Sequence, residues 1–438
     1  MKKKIVAILT AMVLAVLSLF VFVGCAEGQD GKDFDLYSVY QQLVDRGEFE
    51  GTFAEFVQQY LDVEVKVDEK GTYSTAINSS LAQIVSIEVA CDYRNGSGFM
   101  GTTRTFVGMG SGVIYQLDRE NGDAYIITNC HVIYPSDTAV DDDGIVYNRI
   151  SEPVYTAYLY GMEYADYAIP FEVVGYVMGQ DIAVLKVEDS QVLKDSMAQA
   201  VTIGNSDEAA VGDSVFLIGN PLGYGIAAMS GILSVENEQV AVYAADNATL
   251  LTLDAMRTDA SANHGNSGGG LFDANGRLLG ILFAGNNTDG TQGVNNVLPI
   301  NRVKGIADAI LASAQDGKTI TSVKKAVMGI EVYTSDIRQD YDDQADKFTT
   351  MDTIVLSTVS DASASYGKLQ AGDVIKGLKL GNYSVAVRHQ WQIGDFLWHV
   401  RAGDKVSVTV ERKDEDGETV RTVVEELTFT SSHFTTVA

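Results

Sequence analysis

From position 74 to position 314 the chain alternates short β-branched runs with Gly, Asn and Asp punctuation, and this texture limits its fold more than any other feature. The runs fall at 84–89, 112–115, 124–128, 171–177, 182–187, 215–218, 231–235 and 278–283. Many short strands with turn signals between them predict a mainly β fold, a sandwich or a barrel. Val303, Ile306, Ile310 and Leu311 recur at helical spacing and predict a closing helix over 302–314. The β-rich unit is therefore set at 74–315. The polar stretch 316–326 reads as a linker, 327–430 as a second β-rich domain, and 431–438 as a frayed tail.

The N-terminus points to the compartment. Lys2, Lys3 and Lys4 precede an uncharged apolar run from 5 to 23, the pattern of a secretory signal. Phe22-Val23-Gly24-Cys25 resembles a bacterial lipobox, with Phe22 where Leu is usual. This makes 1–24 a signal peptide and Cys25 the lipidated residue, anchored on the extracytoplasmic face of the bacterial cell membrane. An uncleaved anchor helix is the other reading, and both put the rest outside the cytoplasm. Two acyl chains on one Cys suffice for stable anchoring. Residues 25–73 are then a tether carrying a short helical pair, with apolar stripes at Phe34, Tyr37, Tyr40, Leu43 and at Phe53, Phe56, Val57, Tyr60.

The formal charge of −28 would repel a nucleic-acid backbone, and no basic patch interrupts it, so nucleic-acid binding is not expected. Three cysteines are too few for a disulfide scaffold, and whether Cys91 and Cys130 pair is left open. Five scattered His and no paired Cys spacing give no metal site. No Gly-rich phosphate loop is present, and no cofactor is expected.

Three segments carry chemistry, and their order matters. Thr128-Asn129-Cys130-His131-Val132 ends one expected strand, Asp181 opens another, and Gly265-Asn266-Ser267-Gly268-Gly269 puts a Ser in a Gly-rich turn. A nucleophilic Ser needs a base to take its proton and a group that fixes the base's tautomer. His131, Asp181 and Ser267 supply these in the order His, Asp, Ser, spaced by 50 and 86 residues. The glycines suit a turn whose Gly265 and Ser267 amides face inward toward a developing oxyanion, with Asn266 between them. Gly268 and Gly269 leave room for neighbouring strands.

With these segments, residues 80–312 resemble the trypsin-like protease domain of the HtrA/DegP family. The resemblance also rests on Gly110-Ser111-Gly112, Gly219-Asn220-Pro221-Leu222-Gly223, Ser230-Gly231-Ile232-Leu233-Ser234 and Thr258-Asp259-Ala260. It implies a chymotrypsin-like double β-barrel, with His131 as general base, Asp181 as its orienter and Ser267 as nucleophile. It implies a substrate-binding strand at Ile281, Leu282, Phe283 and Ala284, with Asn296 on the opposite pocket wall where the family has an aromatic. His264 stands where Pro is usual and is placed at the pocket entrance or on an exposed rim. A neutral Asn266 cannot form the ion pair that activates digestive zymogens, so activation by N-terminal cleavage is not expected. The stretch 134–171, with seven Tyr, reads as a hairpin burying its own rings, a substrate-facing loop or a trimer contact.

Residues 327–430 resemble one PDZ domain, through Met328-Gly329-Ile330, Ala362-Ser363-Ala364, Ala371-Gly372-Asp373-Val374-Ile375 and Asp404-Lys405-Val406. The resemblance implies that Met328, Gly329 and Ile330 cradle a peptide C-terminus. It further implies a homotrimer acting on unfolded or damaged exported polypeptides in envelope quality control. Two other classes stay open: a PDZ-bearing chaperone or adaptor with little proteolysis, and a signalling protease for one membrane substrate.

Overall fold

The computed structural model describes residues 69–438 apart from 97–100, 286–292, 343–346, 415–416 and 418, together with residues 43, 44 and 46. The signal segment, Cys25 and nearly all of the expected helical pair lie outside the described residues. Residues 68–438 form one compact unit.

The unit opens with a helix that the β texture gave no sign of, α1 (Glu69–Leu81). Its sequence is mostly polar, but Tyr73, Ala76, Ile77 and Leu81 fall on one face and pack against the hydrophobic core. Tyr73 packs edge-on against Phe216, and its hydroxyl donates to the Val215 carbonyl at 2.9 Å.

A nine-stranded sheet follows. Its first strands are β1 (Ile84–Asn95), β2 (Thr102–Asp118) and β3 (Asp123–Thr128), then the single-turn helix α2 (Cys130–Ile133). The tyrosine-rich stretch adds β4 (Thr138–Val140), β5 (Val146–Arg149), β6 (Val154–Leu159) and β7 (Ile169–Pro170). Then come β8 (Glu172–Val177) and β9 (Ile182–Val187). The order is β4-β5-β1-β2-β3-β9-β8, with β6 pairing β1 and β7. Of the tyrosines, Tyr147 is buried and Tyr155 stacks on Phe171, whereas Tyr160, Tyr164 and Tyr167 are exposed.

Helix α3 (Gln191–Asp195) leads into a second sheet. It contains β10 (Thr202–Ile203), β11 (Ser214–Gly219), β12 (Ala227–Tyr243) and β13 (Leu250–Thr258). It is completed by β14 (Gly270–Asp273), β15 (Arg277–Gly285) and β16 (Asn295–Pro299). Because β16 pairs with both β13 and β15, this sheet closes on itself as a barrel. The molecule is thus mainly β with two barrel-like sheets, as expected.

Burial explains the strand runs. In β9, Ile182 and Val184 face the core shared with the second sheet, while Ala183 and Leu185 face the core of the first. A strand buried on both faces is a continuous apolar run, because neither side meets water. Helix α4 (Ile300–Ser313) caps the shared core with Val303, Ile306 and Ile310, beginning two residues before its expected start.

The linker and tail depart from expectation. β17 (Val323–Ala326) pairs antiparallel with β24 (Phe434–Val437), so the tail is a strand and not frayed. Its β-favouring Thr435, Thr436 and Val437 meet the polar groups of an otherwise bare strand edge. The linker is also stitched to β8, where the Tyr176 N–H donates to the Ile320 carbonyl at 2.8 Å.

Between them lies the third sheet, with its own core: β18 (Ile330–Asp342), β19 (Lys347–Val359), β20 (Val374–Leu380), β21 (Tyr383–Ala386), β22 (Lys405–Lys413) and β23 (Val420–Thr428). Helix α5 (Gln390–Phe396) precedes β22, and His389 and Gln392 form a capping box at its start. Beyond α5, Leu397 and Val400 stay in this core while the Trp398 side chain between them reaches out of it. Trp398 is buried in the core capped by α4, against Gly305, where a Cβ would come within 2.6 Å of the Trp398 Cβ.

Candidate active site

The three chemistry-bearing segments stand at the ends of strands. β3 ends at Thr128, whose hydroxyl donates to the Ser111 carbonyl at 2.7 Å. The next residue, Asn129, is fully buried and donates from Nδ2 to the Asp181 carbonyl at 2.9 Å. That bond ties the turn carrying His131 to the turn carrying Asp181.

Asp181 follows a 3-10 turn over Met178–Gln180 and adopts the left-handed conformation, φ 52° and ψ 40°. Short polar side chains tolerate this region best, and strained backbone collects at functional sites. The conformation aims both carboxylate oxygens at one residue. Oδ2 lies 2.7 Å from His131 Nδ1, and Oδ1 accepts the His131 backbone N–H at 2.9 Å. An ionised carboxylate only accepts, so Nδ1 carries the proton and Nε2 keeps its lone pair. The pair therefore holds the imidazole in the tautomer that a general base needs.

Burial works against charge on His131, and the Asp181 carboxylate, by its charge and its hydrogen bond, outweighs it. The imidazole pKa stands above the ordinary value of 6.5. Cys130, next to it, is a poor rival nucleophile, because burial, with the Asp181 charge adding, raises its thiol pKa. Cys91 and Cys130 are both buried and unpaired.

Ser267 is half-buried in a turn where Gly265 has φ +93° and Gly268 has φ +84°. Only Gly fits at either position. A Cβ at 265 would lie 2.2 Å from the Asn220 carbonyl oxygen, and one at 268 would lie 2.0 Å from the Ser111 carbonyl oxygen. A buried polar chain fixes the turn from below. Asn220 Nδ2 donates to Ser86 Oγ at 2.6 Å, and the Asn220 N–H donates to Ser111 Oγ at 2.8 Å. Ser111 Oγ donates to the Gly265 carbonyl at 2.7 Å, and the Ser111 N–H donates to the Ser267 carbonyl at 2.8 Å. Ser86 and Ser111 are direct partners across β1 and β2, so the turn in the second barrel is braced by the first.

The remaining residues singled out above fall as follows. His264 is exposed, and its carbonyl accepts the Leu222 N–H at 2.7 Å. Asn266 is fully buried, with its N–H turned back to the Asn263 carbonyl at 3.1 Å. Ile281, Leu282 and Phe283 are buried in β15, and the Leu282 backbone bonds to the turn carrying Ser267, donating to the Gly269 carbonyl and accepting the Gly268 N–H, each at 2.9 Å. Asn296 is buried in β16, opposite Arg257 and Ala284. In the C-terminal domain Gly329 has φ +68°, and the Met328 and Gly329 carbonyls accept from Ser365 Oγ and the Ser360 N–H, while Ile330 opens β18.

One wall of the site was not foreseen. A cavity of about 350 Å³ opens beside His131 and Asp181, lined by Tyr134, Phe283 and the turn between β12 and β13. The hairpin of β12 and β13 runs well past the expected end at 235, up to the pair Tyr243 and Leu250. The turn is tied to the segment after His131, where Asn247 Nδ2 donates to Ser136 Oγ at 3.3 Å. Alternation at Val240, Val242, Leu251 and Leu253 around Asp246-Asn247 was the available signal.

The sequence profile of the trypsin-like peptidase domain matches residues 110–281. The serine protease Do-like HtrA of Lactococcus lactis subsp. lactis (strain IL1403) is 31% identical over 313 residues, covering 69% of this chain and 67% of that protein. The periplasmic serine endoprotease DegP of Escherichia coli (strain K12) is 27% identical over 329 residues, covering 73% of this chain and 60% of that one. Among solved structures, the HtrA-type protease AlgW with a decapeptide has 23% identity and a TM-score of 0.45, covering 81% of this chain and 97% of that chain.

Proposed function

This chain belongs to the HtrA family of trypsin-like serine proteases, and from that premise we propose that His131, Asp181 and Ser267 are its catalytic triad. Ser267 attacks the scissile carbonyl while His131 Nε2 takes the hydroxyl proton. The proton then passes to the leaving amine, and water releases the acyl-enzyme by the same route. The Gly265 and Ser267 amides, with Asn266 between them, meet the oxyanion. The observation that carries the reading is the doubly anchored Asp181–His131 pair, at 2.7 and 2.9 Å.

The substrates are unfolded or damaged exported polypeptides, cut at the outer face of a bacterial membrane to which lipidated Cys25 ties the chain. A PDZ-like domain over 327–430 takes C-terminal peptides at Met328, Gly329 and Ile330, and the working form is a homotrimer. The positive φ of Gly329 supports the turn this needs. The test uses residues 26–438 on a reduced, unfolded protein and on the same protein folded, each with and without hydrophobic C-terminal peptides. Cleavage of the unfolded form, faster with peptide, is the expected result. An unfolded protein left intact in every condition would move the assignment to an adaptor or a single-substrate protease.

The acid limb of the pH profile is a second check. The base must be neutral, and Asp181 raises the His131 pKa, so activity rises with pH through a midpoint above 6.5. A midpoint at or below 6.5 in kcat/KM would mean that another group limits the reaction.

A further inference from the structure

We propose that Arg302 is a positioning residue for proteolysis. One guanidinium ties α5 of the C-terminal domain to β13 of the second barrel, and so sets the wall of the cavity beside His131. This rests on the reading of His131 and Ser267 as catalytic.

Arg302 lies on the first turn of α4 and is only 5% exposed. Its Nε donates to Asp395 Oδ1 of α5 at 2.6 Å, and both side chains are buried. Its Nη1 donates to the Asp254 carbonyl of β13 at 2.7 Å, and Nη2 stands 3.9 Å from the Asp254 carboxylate. A buried cation needs partners on every side, and the planar fork of Arg can serve two elements at once. The neighbouring turn of α4 adds further ties to the C-terminal domain: His399 Nε2 lies 2.7 Å from the Asn301 carbonyl, and Arg401 Nη2 donates to the Gly305 carbonyl at 3.1 Å.

What Arg302 holds at β13 is the root of a ribbon. From Gln239 opposite Asp254 to Tyr243 opposite Leu250, β12 and β13 pair only with each other among the described residues. A two-stranded ribbon is marginal alone. Leu253, next to the root, is buried in the core, while Val240, Val242 and Leu251, nearer the tip, pack against it only partly. The ribbon's tip, Val242 to Ala245 together with Asn247, lines the cavity that His131, Asp181 and Phe283 share. The root lies four residues from Leu250, roughly 13 Å of strand, so a small rotation at Asp254 moves Tyr243 across that cavity. The cavity takes a substrate side chain, and Arg302 governs how well a large one fits.

The test uses Arg302→Lys in the full chain. Lys keeps a cation for Asp395 but has no second arm for the Asp254 carbonyl. A double variant, Arg302→Met with Asp395→Leu, removes the tie together with both charges of its buried ion pair. The substrates are peptides with large or small side chains at each of the four positions before the cut. Ser267 reactivity is followed separately with a small phosphonyl fluoride.

Both variants should raise KM for the large-side-chain peptides by roughly two- to thirtyfold and level the large-over-small preference, with Ser267 reactivity unchanged. Variants that keep the wild-type KM and preference overturn the proposal. So do variants in which peptide cleavage and Ser267 reactivity fall together, because that is loss of fold. A wild-type chain inert to the phosphonyl fluoride overturns the catalytic reading itself, and this proposal with it.

Discussion

Ser267→Ala is expected to lower kcat by about 10⁶ while leaving the melting temperature close to that of the wild type. The two effects separate because the turn is held through its backbone. The Ser267 carbonyl accepts from Ser111, the Gly268 N–H donates to Leu282, and the Gly269 carbonyl accepts from Leu282, and alanine keeps all three. What it removes is the hydroxyl. His131→Ala should cost about as much, and the double variant little more than either, because groups acting in one step are not additive. The measurement is steady-state cleavage of a peptide substrate by each variant, normalised to folded protein. A Ser267→Ala chain that kept a tenth of the wild-type rate would place the nucleophile elsewhere.

Legibility followed the number of buried faces. β9 has the bounds its apolar run gave, 182–187, because both its faces are in a core. β12 does not. The run 231–235 is part of a strand reaching Tyr243, and Asn237, Glu238 and Gln239 look like loop residues because that stretch is half-exposed. Helix α1 was hidden for a related reason: its apolar face is short, Tyr73, Ala76, Ile77 and Leu81, and its other positions are polar or Gly. The tail strand was hidden because its partner, β17, lies more than a hundred residues away. The proposed triad His131, Asp181 and Ser267 could be singled out for another reason, since the chemistry admits few residue types and the Gly turn around Ser267 admits only one. Ser86, Ser111 and Asn220, which brace that turn, and Arg302, which bridges two domains, are ordinary residues until folding brings their partners within 3 Å.

Asp181→Asn is the sharper test of mechanism, with an expected loss in kcat of about 10⁴, near 5.5 kcal/mol of transition-state stabilisation. The two bonds of Asp181 decide the outcome. Oδ1 faces a backbone N–H of His131, a donor that cannot turn away, so the Asn oxygen takes that place. The Asn NH₂ then faces Nδ1 across 2.7 Å and demands an acceptor there. The imidazole proton moves to Nε2, and the base loses the lone pair that would accept from Ser267. The substitution also removes the charge that raises the His131 pKa, leaving burial alone to act on it, so the imidazole titrates at lower pH than in the wild type. Asn tolerates the left-handed backbone at 181, so the fold should survive the change where a β-branched residue would strain it. Peptide kinetics across pH, with NMR titration of the His131 ring, read both effects. A variant with a near-normal rate, or a His131 pKa that did not fall, would show that Asp181 does not orient the base.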